Sequence, residues 1–117
     1  MTLSVTRLTP VFAARIDGVD ITRPVADSVW AEIRAAFEEH SVLLFRGQSL
    51  TDDDQVAFSR RFGPLEATIR TVVTEARYRP EISNLANVDA DGQLIPAGDR
   101  RNLFNAGNQM WHTDSSF

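Results

Sequence analysis

Two side chains in "NQMWHTDSSF", Asn108 to Phe117, are of the types and at the spacing that can hold a divalent metal: His112 and Asp114. Residues two apart on an extended strand point to the same face, so this imidazole and carboxylate could grip one ion together. They would supply two of the three ligands of a 2-His-1-carboxylate facial triad, which leaves positions open on iron for an oxidisable co-substrate and dioxygen. The second histidine of such a triad must come from elsewhere. From spacing alone, a hydrogen-bonded surface pair is the commoner reading of His-x-Asp, and the ligand reading needs support from the rest of the sequence.

Composition narrows the chemistry further. There is no cysteine, which excludes a disulfide framework, a thiol nucleophile and a zinc–thiolate site, so any metal must use His, Asp, Glu or water. All 12 basic residues are arginine, which removes Schiff-base and lysine general-base chemistry. A net charge of −4 gives no general reason to seek nucleic acid or an anionic membrane. No apolar run approaches the ~20 residues that span a bilayer, and "MTLSVTRLTPVF" lacks the order of a signal peptide, so a cytoplasmic location is expected. At 117 residues, 43% of them apolar, the chain is expected to form at most one domain, residues 1–117.

The elements that must position the pair follow from periodicity. "VFAARIDGVDI", Val11 to Ile21, predicts one or two short strands around a turn at Gly18. In "DSVWAEIRAAFEEH", Trp30, Ile33, Ala36 and Phe37 fall at helical spacing, with Asp27 as the expected N-cap and His40 at the C-terminus. "SVLLFRG", Ser41 to Gly47, reads as a buried strand. Thr51 with Asp54 three residues on predicts a capping box opening a second helix, Thr51 to about Phe62, closed by Gly63 and Pro64. Beyond Pro64, "TIRTVVT" suits a strand, and "EISNLANVDADGQLIP" two short strands across a turn at Asp91 and Gly92. "AGDRRNLFNAGN" shows glycines and polar residues without a clear period.

Several separated stretches resemble one family. "WHTDSSF" resembles the iron-binding motif of the Fe(II)/2-oxoglutarate-dependent dioxygenases of the taurine dioxygenase and 2,4-dichlorophenoxyacetate dioxygenase group. "SVLLFRGQSLTDDDQVAFSRRFGPLE", Ser41 to Glu66, is similar to that group's strand, F-R-x-Q turn, helix and F-G-x-L ending, and "FAARIDGVDITRP" to its opening segment. "FNAGNQMWHTDSSF" is similar to the herbicide-degrading branch. The resemblance implies an α+β chain that forms the N-terminal portion of a double-stranded β-helix (jelly-roll, cupin-like) domain with two flanking helices.

It also implies the chemistry. Fe(II), 2-oxoglutarate and dioxygen would be the cofactor and co-substrates, and a small anionic acid such as an aryloxyalkanoate would be hydroxylated with release of succinate and CO2. By position, His112 and Asp114 would be iron ligands. Asn108 would line the active site near substrate, Arg70 would sit near the substrate carboxylate, and Ser115, with Ser116 after it, would offer a backbone N–H to an anionic group. The family's distal histidine and the arginine for the far carboxylate of 2-oxoglutarate fall beyond residue 117, so the 117 residues alone are expected to be inactive. A non-catalytic binding or scaffold piece of the same fold is the alternative. Nucleic acid and membrane are not expected partners, and homo-oligomerisation of the full-length protein is left open.

The other notable side chains have plainer roles. His40 suits a helix C-terminus, where a cation is favoured by the dipole. Trp30, Phe37, Phe58 and Phe62 read as core, and Trp111 as packing behind the metal strand more than touching substrate. Arg60, Arg61, Arg100 and Arg101 read as solvated charges. Asp52 to Asp54 complement the macrodipole in a first helical turn more simply than they bind calcium.

Overall fold

Alternation of inward and outward side chains organises the first half of the chain. In β2, Ala14–Asp17, Ala14 and Ile16 are buried, while Arg15 and Asp17 stand half-exposed on the opposite face and pair at 2.7 Å. The computed structural model describes residues 3–66, 80–82, 86–89 and 91–112, with the backbone alone for Phe104, Asn105 and Asn108. The chain divides into two compact units, Met1–Phe62 and Gly63–Phe117.

In the first unit, β1 (Ser4–Arg7) pairs antiparallel with β2, Val5 opposite Ile16. β2 pairs parallel with β3 (Leu43–Phe45), Arg15 opposite Leu44, giving the sheet order β1-β2-β3. A parallel neighbour requires a crossover, and α1 (Asp27–His40) provides it. Ile33 is wholly buried in a cluster with Leu3, Ile16 and Ala36, against which Val29, Trp30, Leu43, Phe45 and Phe58 pack. Withdrawing a side chain of that size from water contributes about 2 kcal/mol.

The boundary of α1 differs from the sequence expectation. Asp27 is its first residue and Ala26 its N-cap, with no side-chain cap bond. Asp27 instead accepts a 2.9 Å bond from Arg61, and a carboxylate in the first turn still complements the dipole. The helix ends at Ser41, whose N–H makes the last helical bond to the Phe37 carbonyl at 2.8 Å and whose positive φ of 66° then turns the chain away. His40 lies in the last turn, as expected, and is buried there; its carbonyl accepts from Ala13 and Val42 N–H, both at 2.8 Å.

α2, Asp52–Arg60, opens on the expected capping box. Thr51 Oγ1 accepts from Asp54 N–H at 3.2 Å while the Asp54 carboxylate accepts from Thr51 N–H at 3.0 Å. The bond from Thr51 N–H first, and a second one that the Thr51 hydroxyl donates to the same carboxylate oxygen at 2.7 Å, hold the Asp54 carboxyl below its ordinary pKa. Trp30, Phe37, Phe45, Phe58 and Phe62 meet edge to face, with centroids 4.8–5.9 Å apart. Phe37 and Phe62 lie at the rim of this cluster rather than in a closed core, each 39% exposed. Arg61 is not a simple solvated charge: its guanidinium lies over the Trp30 ring, 5.1 Å from the centroid, while it holds Asp27.

Two strand expectations are corrected in detail, and one strand, β1, was not expected. β3 is not fully buried, because Leu43 and Phe45 face the core while Leu44 between them is exposed. β1 carries no alternation of exposure, all four residues being exposed, and is held as a strand by its ladder to β2. In the second unit the Asp-Gly turn is present, Gly92 at φ 75°, and among the described residues the pairing around it is one antiparallel bridge, Val88 to Leu94. "TIRTVVT" lies outside the described residues.

Candidate metal-binding segment

The segment leading to His112 is built on a carboxylate. Asp99 Oδ1 accepts from Arg101 N–H at 2.9 Å and from Arg101 Nε at 3.0 Å, and Oδ2 accepts from Arg101 Nη2 at 3.0 Å. The bond from the Arg101 side chain, then the one from its backbone, holds the Asp99 carboxyl down at a pKa of about 2. Its own carbonyl accepts the N–H of Leu103 at 3.1 Å, starting α3, Arg100–Ala106. Asn102 Nδ2 donates to the carbonyls of Ile95 and Pro96 at 3.0 and 2.9 Å, tying the helix to the chain that precedes it. The turn before that is fixed in the same way: Asp89 Oδ1 accepts from the N–H groups of Asp91 and Gln93.

After α3 the chain tightens into a 3-10 turn, Gly107–Gln109, closed by Met110 N–H to the Gly107 carbonyl at 3.2 Å. Met110 then turns extended at φ −78°, ψ 149°. His112 is exposed, and its Nδ1 lies 2.7 Å from the Met110 carbonyl oxygen. A carbonyl only accepts, so Nδ1 is the protonated nitrogen and, in the neutral ring, the lone pair lies on Nε2. That is the tautomer of an imidazole able to ligate through Nε2, with its other nitrogen held by a backbone carbonyl.

The remaining sequence candidates divide by what the structure describes. Asn108 belongs to the 3-10 turn by its backbone. Asp114, Ser115, Ser116 and Arg70 lie outside the described residues. Among the described residues no three metal-ligating side chains converge, so His112 has its carbonyl support in view but not its fellow ligands. Trp111 does not pack behind the segment: it is fully exposed. The α3 helix, the Asp99–Arg101 pair and the Met110 carbonyl escaped the sequence reading. An aspartate directly before "RRNLF" was the available signal for a helix start, obscured by Gly98 and the polar residues around it.

A family model, taurine catabolism dioxygenase TauD, TfdA family, matches residues 4–117. The chain belongs to this family. An α-ketoglutarate-dependent 2,4-dichlorophenoxyacetate dioxygenase of Cupriavidus pinatubonensis is 39% identical over 112 residues, an alignment covering 94% of this chain and 39% of that protein. An (S)-phenoxypropionate/α-ketoglutarate dioxygenase of Sphingobium herbicidovorans is 34% identical over 112 residues, covering 94% of this chain and 34% of that one. The chain thus spans well under half the length of these TauD-family relatives. A crystal structure of AAD-2 with Mn(II) and N-oxalylglycine superposes with a TM-score of 0.81 at 30% identity, covering 99% of this chain and 38% of that one. The three-stranded sheet with its helices is therefore a mixed α/β arrangement that matches part of a TauD-family structure. Among the described residues no helix is long and apolar enough to cross a membrane.

Proposed function

We propose that the protein to which these residues belong is an Fe(II)- and 2-oxoglutarate-dependent dioxygenase. It hydroxylates a small anionic substrate, an aryloxyalkanoate or related acid, with release of succinate and CO2. The observation that carries this reading is His112: it stands in a family-like "WHTD" motif, with Nδ1 committed to the Met110 carbonyl, which leaves the lone pair of the neutral ring on Nε2. The donor set suits the metal, since a neutral imidazole and a carboxylate are two-thirds of a facial triad. The domain is read as one, with residues 1–117 contributing the front of a double-stranded β-helix.

Fe(II), when bound, would supply a redox-active centre with positions open to 2-oxoglutarate and dioxygen. Each residue of the chain has a narrower task. His112 and Asp114 hold the ion, and the 3-10 turn before them sets where the imidazole begins. Arg70 grips the substrate carboxylate, which a permanently charged planar guanidinium can do bidentately. Asn108 lines the site near the substrate, and the Ser115 N–H contacts its anionic group.

In the full-length protein, His112→Ala and Asp114→Ala should each abolish most succinate release and weaken Fe(II) binding in a metal titration at least ~10-fold. Wild-type turnover and metal affinity in either variant would refute the assignment. Arg70→Gln should raise KM for a carboxylate substrate and leave 2-oxoglutarate affinity little changed; an unmoved substrate KM would make Arg70 a structural arginine.

A further inference from the structure

The parallel ladder between β2 and β3 stops as a backbone structure where Gly18, at φ 84°, and Gly47, at φ 68°, turn the two chains. A hydrogen-bonded link nevertheless continues between the chains beyond the two glycines. The Gln48 carboxamide donates from Nε2 to the Val19 carbonyl at 3.1 Å and accepts at Oε1 from Ile21 N–H at 3.0 Å. Val19 C=O and Ile21 N–H flank Asp20, and they are the two groups that one residue of a parallel neighbour engages with its own C=O and N–H. Nε2 also donates to the Arg46 carbonyl at 3.2 Å, which ties the side chain to its own strand end. The amide orientation is dictated by its partners, because two carbonyls can only accept and one N–H can only donate.

We propose that Gln48 is a side-chain substitute for a peptide unit of β3, a strap that carries the sheet past its two glycine bends and locks residues 19–22 against it. What is strapped is a core wall: Ile21 is 6% exposed, and Val19 packs on the central cluster. The outer side of the same segment is tied separately, by Thr22 N–H to the Asp20 carboxylate at 3.0 Å. The segment is thus fixed from both sides, and only the inner bonds depend on Gln48.

The requirement is for a donor and an acceptor on one short side chain, which distinguishes this role from packing. In the full-length protein, Gln48→Met keeps length and apolar contact but removes all three bonds. Hydrogen exchange should show the Ile21 amide opening ~10-fold faster or more, while the Ala14 amide, bonded to the Val42 carbonyl at 3.0 Å at the opposite end of the ladder, keeps its protection. Gln48→Glu at neutral pH leaves an acceptor facing the Val19 and Arg46 carbonyls with nothing to donate, and should melt lower than Gln48→Met. Unchanged Ile21 exchange in Gln48→Met, equal loss at Ile21 and Ala14, or a Gln48→Glu protein as stable as wild type would each overturn the proposal.

Discussion

Asp99 receives three hydrogen bonds from a single neighbour, Arg101, and that concentration has a measurable signature. Its carboxyl falls from an ordinary value of 3.8 to about 2. A group whose pKa is lower in the folded chain stabilises the fold above its unfolded value and loses that contribution as pH falls through the folded one. The start of α3 should therefore be intact above pH 3.8 and loosen as pH drops toward about 2. Carboxyl-detected NMR titration would place the Asp99 midpoint near the lower figure, and Arg101→Ala should return it toward the ordinary value. A midpoint that does not move in Arg101→Ala would show that the pair is not what holds it. Residue-scale chemistry of this kind was partly legible in the sequence. The Thr51–Asp54 partnership was, because a capping box has a fixed spacing. The Asp99–Arg101 and Gln48 bonds were not, because they depend on where a turn brings the backbone.

Among the elements, α1 and α2 were the most readable, since a helix writes its buried face at a regular spacing and Ile33 and Ala36 fall on it. β1 was unreadable for the converse reason: four exposed residues leave no alternation, and only the ladder to β2 makes them a strand. α3 was hidden by the glycines on either side of it, which read as loop when the cap at Asp99 is not given weight. The capping box allows a direct test at this scale. Thr51→Ala removes the side-chain acceptor for Asp54 N–H and should cost about 1 kcal/mol in denaturant unfolding. Thr51→Ser, which keeps the hydroxyl, should cost much less. Equal losses in the two would show that the methyl group, not the oxygen, is what α2 needs. Of the candidate site, the His112 position and its ring orientation are described, whereas Asp114, Arg70 and Ser115 rest on the family motif.

At the scale of the whole molecule, the two tryptophans stand one in each unit and in opposite surroundings. Trp30 lies edge-on to Phe58 and Phe62 with the Arg61 guanidinium over its ring. Trp111, just before His112, is fully exposed. Their light emission should differ accordingly: a blue-shifted band shielded from an aqueous quencher, and a red one that the quencher reaches at its encounter rate. Trp111→Phe should leave the first alone, and Trp30→Phe the second. Quenching that survives undiminished in Trp111→Phe would contradict the exposure described. With the two bands separated, each unit carries its own optical reporter, and the Trp111 band, adjacent to the candidate ligand, becomes a gauge of paramagnetic metal arriving at His112 that needs no substrate and no turnover.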